Sequence, residues 1–352
     1  MNDNSQTENR VNALQLQAWV EALFGSIGVS ADAAQATAQS LVDADLRGIG
    51  THGVVRVPIY VKRLELGLIN KTPVARFESV GAAAQRLDGD NGLGQWVGLQ
   101  AVERACELAQ DAGIGMVLAT HSNHFGTAGW FARQANARGC VALVWSQCES
   151  LVVPFGGTQR FFGTNPLCFS LPRQGHEPIT LDMATSAVPL GKIEMAKVTT
   201  GHIPPDWAVD ETGKPTTDPH QAHALQPMAG PKGSGLAMLI DLLSGALAGG
   251  VCGPRIARLY DDFEHEHNLA HTFIAFRADA FAQGRSTQQA VEEMVGDLRQ
   301  QTPAEGFEEI LLPGEIEARN AVLNSERGIA LAPALLDSLH DLGARFEVEF
   351  PR

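Results

Sequence analysis

The sequence predicts a mixed α/β fold that lacks a Rossmann nucleotide-binding domain. Between residues 75 and 172, short apolar runs alternate with turn clusters and with helices expected near 94–113 and 126–139, which is the pattern of a layered α/β core. Residues 11–45 precede this region and repeat apolar residues at helical spacing. No Gly-x-Gly-x-x-Gly sequence follows an apolar run, so the phosphate-binding turn of a Rossmann fold is missing.

Helices, a long loop and strands are predicted one after another along the chain. The helical region 11–45 divides at Gly28, and an alanine-rich second helix begins near Ala31. The prolines and glycines of 201–231 cannot sustain long helices, and we expect an ordered loop over the functional site there. The other predicted elements are a buried strand at 115–119, a buried helix at 235–250, a strand at 272–276 and an amphipathic helix at 286–301.

Three segments organise the chain. We expect an N-terminal helical segment at 1–74, an α/β core at 75–260 and a C-terminal segment at 261–352 that packs with the helical part. The polar residues 1–8 are predicted to form a frayed tail without the apolar core of a signal peptide.

Composition excludes several classes of partner. The 352 residues carry 26 basic and 40 acidic side chains, a net charge of -14, which repels nucleic-acid backbones and anionic membrane surfaces. The apolar stretch 235–250 is interrupted by Asp241 and is shorter than the roughly 20 residues of a membrane span. The five cysteines include no Cys-x-x-Cys pair, which favours the reducing cytoplasm.

The first candidate site is the block from Asp45 to Pro58. On a helix, His52 and Arg56 would share one face, four residues apart and next to the hydroxyl of Thr51. A guanidinium that grips a carboxylate beside an imidazole suits a small 2-oxo or 2-hydroxy acid. The alternative is a solvated helix face with a capping threonine.

The second candidate site is His124, in a block that follows the predicted strand and precedes a predicted helix. Loops held between rigid elements are where reacting groups usually lie. The alternative is a structural histidine that caps the following helix.

A third candidate site is the start of the 235–250 helix. The sequence Gly230-Pro231-Lys232-Gly233-Ser234-Gly235 offers backbone N–H groups, a helix dipole and an ammonium group that together could bind a pyrophosphate. The alternative is a flexible loop that only leads into the helix.

Two histidine groups raise the question of a metal. His121 lies three residues before His124, but no third ligand has matching spacing, and a surface histidine is the simpler interpretation. The charged run from Glu264 to His271 contains three histidines, and its pattern is more typical of a loop than of a zinc site. We therefore predict no metal site.

Six blocks, in the same order, resemble the type 2 malate/L-lactate dehydrogenases, a family that includes ureidoglycolate dehydrogenases and cyclic imino acid reductases. The resemblance runs from about Leu14 to Arg327. The downstream blocks are most similar to the ureidoglycolate branch, whereas the loop around His124 is more similar to the malate branch. The six blocks are Thr51-His52-Gly53-x-x-Arg56, 88–95, Ser122-Asn123-His124-Phe125-Gly126, Gly163-Thr164-Asn165-Pro166, 181–186 and Gly230-Pro231-Lys232-Gly233.

The resemblance implies a non-Rossmann core with a central, mostly antiparallel sheet, NAD or NADP as cofactor, and a homodimer. It implies His124 as the catalytic acid/base, with His52 also at the catalytic centre and Arg56 as the carboxylate clamp. Thr51 stands where many members have serine, and Cys148 stands where the ureidoglycolate branch has serine near the cofactor. The full implied substrate set is Thr51, His52, Arg56, Tyr60 and His124, and the implied cofactor set is Cys148, Asp182, Met183, Ala184, Lys232 and Gly233.

These observations predict an NAD(P)-dependent dehydrogenase of a small 2-hydroxy acid, with ureidoglycolate first and malate or lactate next. A net charge of -14 means that Arg56 must attract the carboxylate locally. Asp182 could orient a histidine, meet the cofactor or cap a strand end. A reductase of cyclic imino acids would use the same clamp and hydride donor, and a non-catalytic member would require the loss of His124 or Arg56, both of which are present.

Overall fold

The computed structural model describes residues 9–282 and 286–351, so the tail predicted at 1–8 lies outside the described residues. The helices are α1 (Ala13–Ser26), α2 (Ala31–Leu46), α3 (Val57–Glu65), α4 (Gly94–Ala112), α5 (Ala128–Ala137), α6 (Leu190–Val198), α7 (Pro231–Asp241), α8 (Thr287–Arg299), α9 (Glu315–Arg327) and α10 (Pro333–Arg345). The strands are β1 (Arg10–Val11), β2 (Arg76–Gly81), β3 (Ala84–Asp88), β4 (Ile114–Ser122), β5 (Cys140–Ser146), β6 (Leu167–Arg173), β7 (His176–Met183), β8 (Ala208–Val209), β9 (Ala224–Leu225), β10 (Leu269–Arg277) and β11 (Ile329–Ala330).

The core is a seven-stranded sheet in the order β2-β3-β4-β10-β5-β6-β7. Only β3 and β4 pair in parallel, and every other neighbouring pair is antiparallel. The mostly antiparallel, non-Rossmann α/β fold is thus confirmed. Strand β10 lies at the centre of this sheet although it comes from the third predicted segment, so residues 261–352 contribute to the core as well as to the helical part.

The strand register brings the motif blocks to one edge of the sheet. Ser122, at the end of β4, pairs with Leu269 at the start of β10, and Ser146 at the end of β5 pairs with His271. Leu167, the first residue of β6, pairs with Met183, the last residue of β7. Loops far apart in the sequence therefore meet at this edge, which we call the site edge.

The helical part is built from both ends of the chain, as predicted. Strands β1 and β11 pair antiparallel, and the Trp19 indole donates to the carbonyl oxygen of Val348 at 3.2 Å. The Asn324 side chain donates to the carbonyl oxygen of Leu46 at 2.9 Å. These bonds join the N-terminal helices that lead into the His52–Arg56 segment to the C-terminal end of the chain.

The predicted helix through His52 and Arg56 is wrong in detail. Two short 3₁₀ turns cover Gly50–His52 and Val54–Arg56, and α3 begins only at Val57. The Asp45 carboxylate accepts the Val54 N–H at 2.8 Å, and a Cβ on Gly53 would lie 1.9 Å from that carboxylate. The close approach requires glycine, and the extended backbone of Gly53 ends the helical run.

The apolar stretch predicted as a buried helix is only half buried. It forms α7 and a π-helical turn at Leu242–Ala246, and its helix begins earlier, at Pro231. One face projects five large apolar side chains into solvent, because hydrophobicity alone does not tell an inner face from an outer one. The exposed side chains are Met238, Leu239, Leu242, Leu243 and Leu247, and we call them the α7 apolar face. Among the described residues, no helix has the length and hydrophobicity needed to span a membrane.

The stretch 201–231 contains no long helix, as predicted, and is ordered by the short β8–β9 pair. It covers a second small apolar cluster that includes Val152, Ile203 and Ala237. The Met228 N–H donates to Thr185 and the Ala187 N–H donates to Gln226, so this stretch is tied to the loop after β7 at the site edge.

Candidate active site

His124 occupies the centre of the site edge, two residues beyond the end of β4. Its Nδ1 lies 2.5 Å from the hydroxyl of Tyr60, and its ring stacks on that of His52 with centroids 5.6 Å apart. A Cβ on Gly94 would lie 2.2 Å from the backbone oxygen of Asn123, so the glycine lets α4 start directly against this loop. The Asp182 carboxylate, and not His124, caps the start of α5.

The surroundings keep both histidines neutral near pH 7. Burial, followed by the charge of Arg56, lowers the pKa of His124 well below its ordinary value. The same two causes lower the pKa of His52 to about 4. Burial raises the pKa of Tyr60, whose hydroxyl therefore stays protonated. An uncharged imidazole beside a neutral hydroxyl can accept a proton from a substrate.

Arg56 is held at the mouth of this cluster. Its Nε donates to the carbonyl oxygen of Thr51 at 2.7 Å, and its Nη1 donates to the Tyr260 hydroxyl at 2.5 Å. In the described part of the chain, its Nη2 makes no hydrogen bond. The Thr51 hydroxyl lies 3.0 Å from His52 Nδ1. A guanidinium fixed along one side and open on the other can grip a carboxylate.

The structure thus brings together all five residues of the predicted substrate set, Thr51, His52, Arg56, Tyr60 and His124.

Four further residues lie next to this cluster, and the sequence interpretation assigned them no role. They are Gln95, which donates to the Tyr60 hydroxyl at 3.0 Å, Tyr260, which holds Arg56, and the pair Glu149 and His267. His267 is fully buried and its Nε2 lies 3.3 Å from a Glu149 carboxylate oxygen. Burial acts to raise the pKa of Glu149, but the hydrogen bond to His267 and nearby positive charge outweigh it and lower the pKa. The sequence held one clue to these residues, which is their location next to segments that end or begin at the site edge.

The predicted cofactor residues gather further along the same edge. Asp182 and Met183 end β7, and Ala184 follows. The Asp182 carboxylate accepts the Gly129 N–H at 2.7 Å, so it caps the start of α5 rather than a strand end, and it contacts no histidine among the described residues. Its side chain is accessible to solvent, but the neighbouring protein desolvates the carboxylate and raises its pKa to about 6.

Asn165 connects Cys148 to α7. Its Oδ1 accepts the Cys148 N–H at 2.9 Å, and its Nδ2 donates to the carbonyl oxygen of Ala237, also at 2.9 Å. Burial, with the charge of Glu149, raises the pKa of Cys148 to about 12, so the group remains a thiol. Cys148 is therefore joined through Asn165 to the helix that carries Lys232.

The backbone cradle predicted at the start of α7 needs correction. The Gly233 N–H donates to the carbonyl oxygen of Met228 at 3.0 Å, and the Ser234 N–H donates to that of Gly230 at 3.2 Å. These amides already have partners within the chain and cannot also hold a pyrophosphate. The Lys232 side chain is exposed, and no carboxylate of the described residues pairs with it, so the ammonium group is the available phosphate contact.

The histidines considered for a metal have other partners. The His121 ring lies between two carboxylates, with Nδ1 3.2 Å from Asp88 and Nε2 3.2 Å from Glu266. His265 is exposed and contacts Asp262, whereas His271 is buried in β10 between the hydroxyls of Ser146 and Ser122. Within 9–282 and 286–351, no group of three or more such ligands could hold a metal ion.

Comparison with known proteins agrees with this geometry. Residues 11–340 match the malate/L-lactate dehydrogenase family. The chain is 37% identical over 306 residues to the ureidoglycolate dehydrogenase (NAD(+)) of Escherichia coli strain K12, covering 87% of this chain and 88% of that one. The sulfolactate dehydrogenase structure from Methanocaldococcus jannaschii aligns with a TM-score of 0.91 at 34% identity, covering 97% and 98% of the two chains. For delta1-piperideine-2-carboxylate reductase from Pseudomonas syringae, the TM-score is 0.85 at 31% identity, with coverage of 95% and 99%.

Proposed function

The chain belongs to the malate/L-lactate dehydrogenase family, and from this premise we propose that it oxidises ureidoglycolate to oxalurate with His124 as the catalytic base. The family assignment makes the chain an NAD(P)-dependent dehydrogenase of hydroxy acids. The residue roles and the choice of substrate are our proposal.

One observation carries the residue roles. The desolvated His124 imidazole lies between the Tyr60 hydroxyl and the His52 ring, in the field of the fixed Arg56 guanidinium. A hydroxy acid needs a proton acceptor at its hydroxyl group and a cation at its carboxylate. This cluster offers both within one cleft.

The mechanism follows from these side chains. Arg56 binds the substrate carboxylate through its free edge, and Tyr260 and the Thr51 carbonyl hold the guanidinium in place. His124 takes the hydroxyl proton at Nε2 and becomes an imidazolium, which returns the proton to solvent or, in the reverse direction, to the carbonyl oxygen. The bound nicotinamide supplies the hydride chemistry at C2. Tyr60 is buried and His124 is only partly exposed, which limits the access of water to the reacting atoms.

The residues of the cleft fit a nicotinamide dinucleotide. Within the described part of the chain Lys232 has no carboxylate partner, in a protein of net charge -14, and such a cation suits a pyrophosphate contact. Asp182 keeps one carboxylate oxygen clear of its helix-capping bond, and a carboxylate is the usual partner of ribose hydroxyls. We propose that Cys148, Met183 and Ala184 complete the binding surface, without Gly233, whose amide is already bonded to Met228.

The charge of Glu149 favours ureidoglycolate over dianionic substrates. This carboxylate is partly buried, with its side chain 16% exposed, and it interacts electrostatically with Arg56. A distal carboxylate or sulfonate, as in malate or sulfolactate, would approach a like charge. A neutral ureido group can instead donate N–H bonds to Glu149.

A substrate panel tests this proposal. Oxidation of ureidoglycolate, sulfolactate, malate and lactate is followed with NAD and with NADP, together with the reduction of piperideine-2-carboxylate. We expect the highest kcat/KM for ureidoglycolate. A higher value for malate or sulfolactate would move the assignment within the hydroxy acids, and reduction of the cyclic imine alone, which the similarity to the piperideine reductase makes the second candidate, would refute hydroxy acid oxidation.

We also propose a cytoplasmic homodimer. The α7 apolar face leaves Met238 half exposed and Leu247 63% exposed, which a second copy of the chain would cover. All five cysteines are unpaired, which fits a reducing compartment. Sedimentation of the purified chain should give twice the monomer mass, and Leu242→Glu, at the middle of the face, should shift the mass towards the monomer.

A further inference from the structure

The Tyr60 hydroxyl connects His124 to a residue outside the predicted site. On one side it lies 2.5 Å from His124 Nδ1, and on the other it accepts a hydrogen bond from Gln95 Nε2 at 3.0 Å. Gln95 is completely buried and Tyr60 is 1% exposed. Water does not reach this chain of three groups from the side of Gln95, so the bonds among them determine where the protons lie.

The direction of these bonds determines the tautomer of His124 for a given orientation of the Gln95 amide. An amide nitrogen only donates, and a hydroxyl has a single hydrogen to give. With Gln95 Nε2 facing Tyr60, the buried Tyr60 hydrogen finds an acceptor among the described residues only at His124 Nδ1. The proton of the neutral imidazole then lies on Nε2, the nitrogen left for the substrate, and in this tautomer His124 cannot accept the hydroxyl proton.

The Gln95 amide is free to take the opposite orientation. Its Oε1 is buried and has no hydrogen-bond partner, so either orientation leaves one end of the amide unpartnered. Asn123 provides the contrast, because its Nδ2 faces the Asn91 carbonyl, the Asn91 Oδ1 and the Gly92 carbonyl within 3.2 Å. Rotation of Asn123 would place an oxygen against three acceptors, whereas rotation of Gln95 meets no such obstacle.

We propose that Gln95 is a positioning residue that selects the tautomer of His124 through Tyr60. With Oε1 facing Tyr60, the Tyr60 O–H donates to Gln95, His124 Nδ1–H donates to the Tyr60 oxygen, and Nε2 is free to take the substrate proton. The change moves one proton from Nε2 to Nδ1 and leaves all three groups neutral. This inference rests on the proposed role of His124 as the base.

The charged and titratable groups around His124 agree with such a switch. The cations and histidines that act on it are Arg56, His52, His267 and His271, and together with burial they disfavour an imidazolium. A neutral His124 ring can act as a base only in the tautomer that leaves Nε2, the nitrogen that faces the substrate, without a proton. Because burial raises the pKa of Tyr60, the hydroxyl keeps its hydrogen and can turn it to either neighbour.

The test uses the full-length protein and two substitutions at one position. Gln95→Glu places a group at position 95 that, as a carboxylate at pH 8, only accepts hydrogen bonds, and Gln95→Met removes the polar atoms at nearly constant volume. Gln85→Met is the matched control, because Gln85 is also buried but its amide bonds Ser79 and Arg104. Tyr60→Phe, alone and combined with Gln95→Met, removes the connection.

The tautomer is read by ¹⁵N NMR of histidine-labelled protein without substrate, with the His124 signals assigned by their loss in His124→Ala. We expect the Nε2–H tautomer in the unsubstituted protein and the Nδ1–H tautomer in Gln95→Glu. An unchanged tautomer in Gln95→Glu, or an Nδ1–H tautomer in the unsubstituted protein, would overturn the proposal. This readout needs no turnover, so it is independent of the substrate assignment.

Kinetics give the second readout. Gln95→Met should lower kcat roughly 10-fold, the effect of one lost buried hydrogen bond, while KM stays nearly constant and Gln85→Met keeps normal turnover. In the Tyr60→Phe background, Gln95→Met should cause no further loss. An equal loss in both backgrounds would show a merely structural role and refute the switch. Failure of the proposed function appears separately, as normal turnover in His124→Ala.

Discussion

The two ends of the site edge differ in how completely one chain assembles them. Around His124, each predicted substrate residue is joined to a neighbour, from the Thr51–His52 contact to the bonds of Arg56 and Tyr60. At the start of α7, Lys232 extends into solvent and the α7 apolar face is uncovered. On our proposal, the chain preorganises the residues around His124 by itself, whereas the cofactor and a second copy of the chain would complete the end at α7.

The largest effect is expected at the preorganised end. His124→Ala removes the proton acceptor and should lower kcat roughly 10²- to 10⁴-fold, while the binding of NADH, measured by fluorescence titration, stays nearly unchanged. His202→Ala, an exposed loop histidine, serves as the control. Turnover close to that of the unsubstituted enzyme would remove His124 from the mechanism.

A smaller effect is expected from the carboxylate clamp. Arg56→Lys keeps the charge but loses the planar fork and the two bonds that fix it. KM for the hydroxy acid should rise roughly 10- to 100-fold, as for one or two lost charge-assisted bonds. Steady-state kinetics measure this against Arg86→Lys, an exposed position on β3. If KM is unchanged for every carboxylate substrate, Arg56 is not the clamp.

A substitution at the start of α7 should change the affinity for the cofactor. Lys232→Met should weaken NAD(P)H binding by roughly 1–3 kcal/mol, the range for a charge-assisted hydrogen bond, and should make the remaining affinity less dependent on salt. Fluorescence titration at two ionic strengths tests both parts, with Lys214→Met at another exposed lysine as the control. Equal affinity in the folded variant would place the pyrophosphate elsewhere.

The smallest effect concerns substrate choice. Glu149→Gln removes a carboxylate that a second substrate anion would meet, and it leaves an amide that can still accept a hydrogen bond. The ratio of kcat/KM for malate to that for ureidoglycolate should rise by roughly 10-fold, as for about 1.4 kcal/mol of lost repulsion. A constant ratio would mean that Glu149 does not select the distal group.

Much of the fold and the substrate cluster could be predicted from the sequence. Alternating apolar runs identified the α/β core, and the motif blocks identified His124 and Arg56, because side chains that do chemistry are read directly from their type. The sequence could not place β10 at the centre of the sheet, since strand order depends on pairing between distant segments. It also could not show that Gly53 interrupts the helix, because that depends on contact with Asp45.

The remaining errors have the same origin. Gln95 and Glu149 gain their roles only from neighbours brought in by the fold. The amides of Gly233 and Ser234 matched an anion-binding pattern, but tertiary contacts with Met228 and Gly230 already use them. A local motif shows which atoms are available in principle, and the fold determines which stay free.

The central claim is that His124 is neutral and desolvated in the free enzyme and acts as the base during turnover, and the pH dependence of kcat/KM for hydroxy acid oxidation tests it most directly. Because the pKa of His124 in the folded protein is lowered well below 6.5, the base form persists as the pH falls through that value. We predict a level profile from pH 8 to below 6.5, with the acid limb only at lower pH, while circular dichroism shows that the protein remains folded. An acid limb with its midpoint at or above 6.5 would contradict the account.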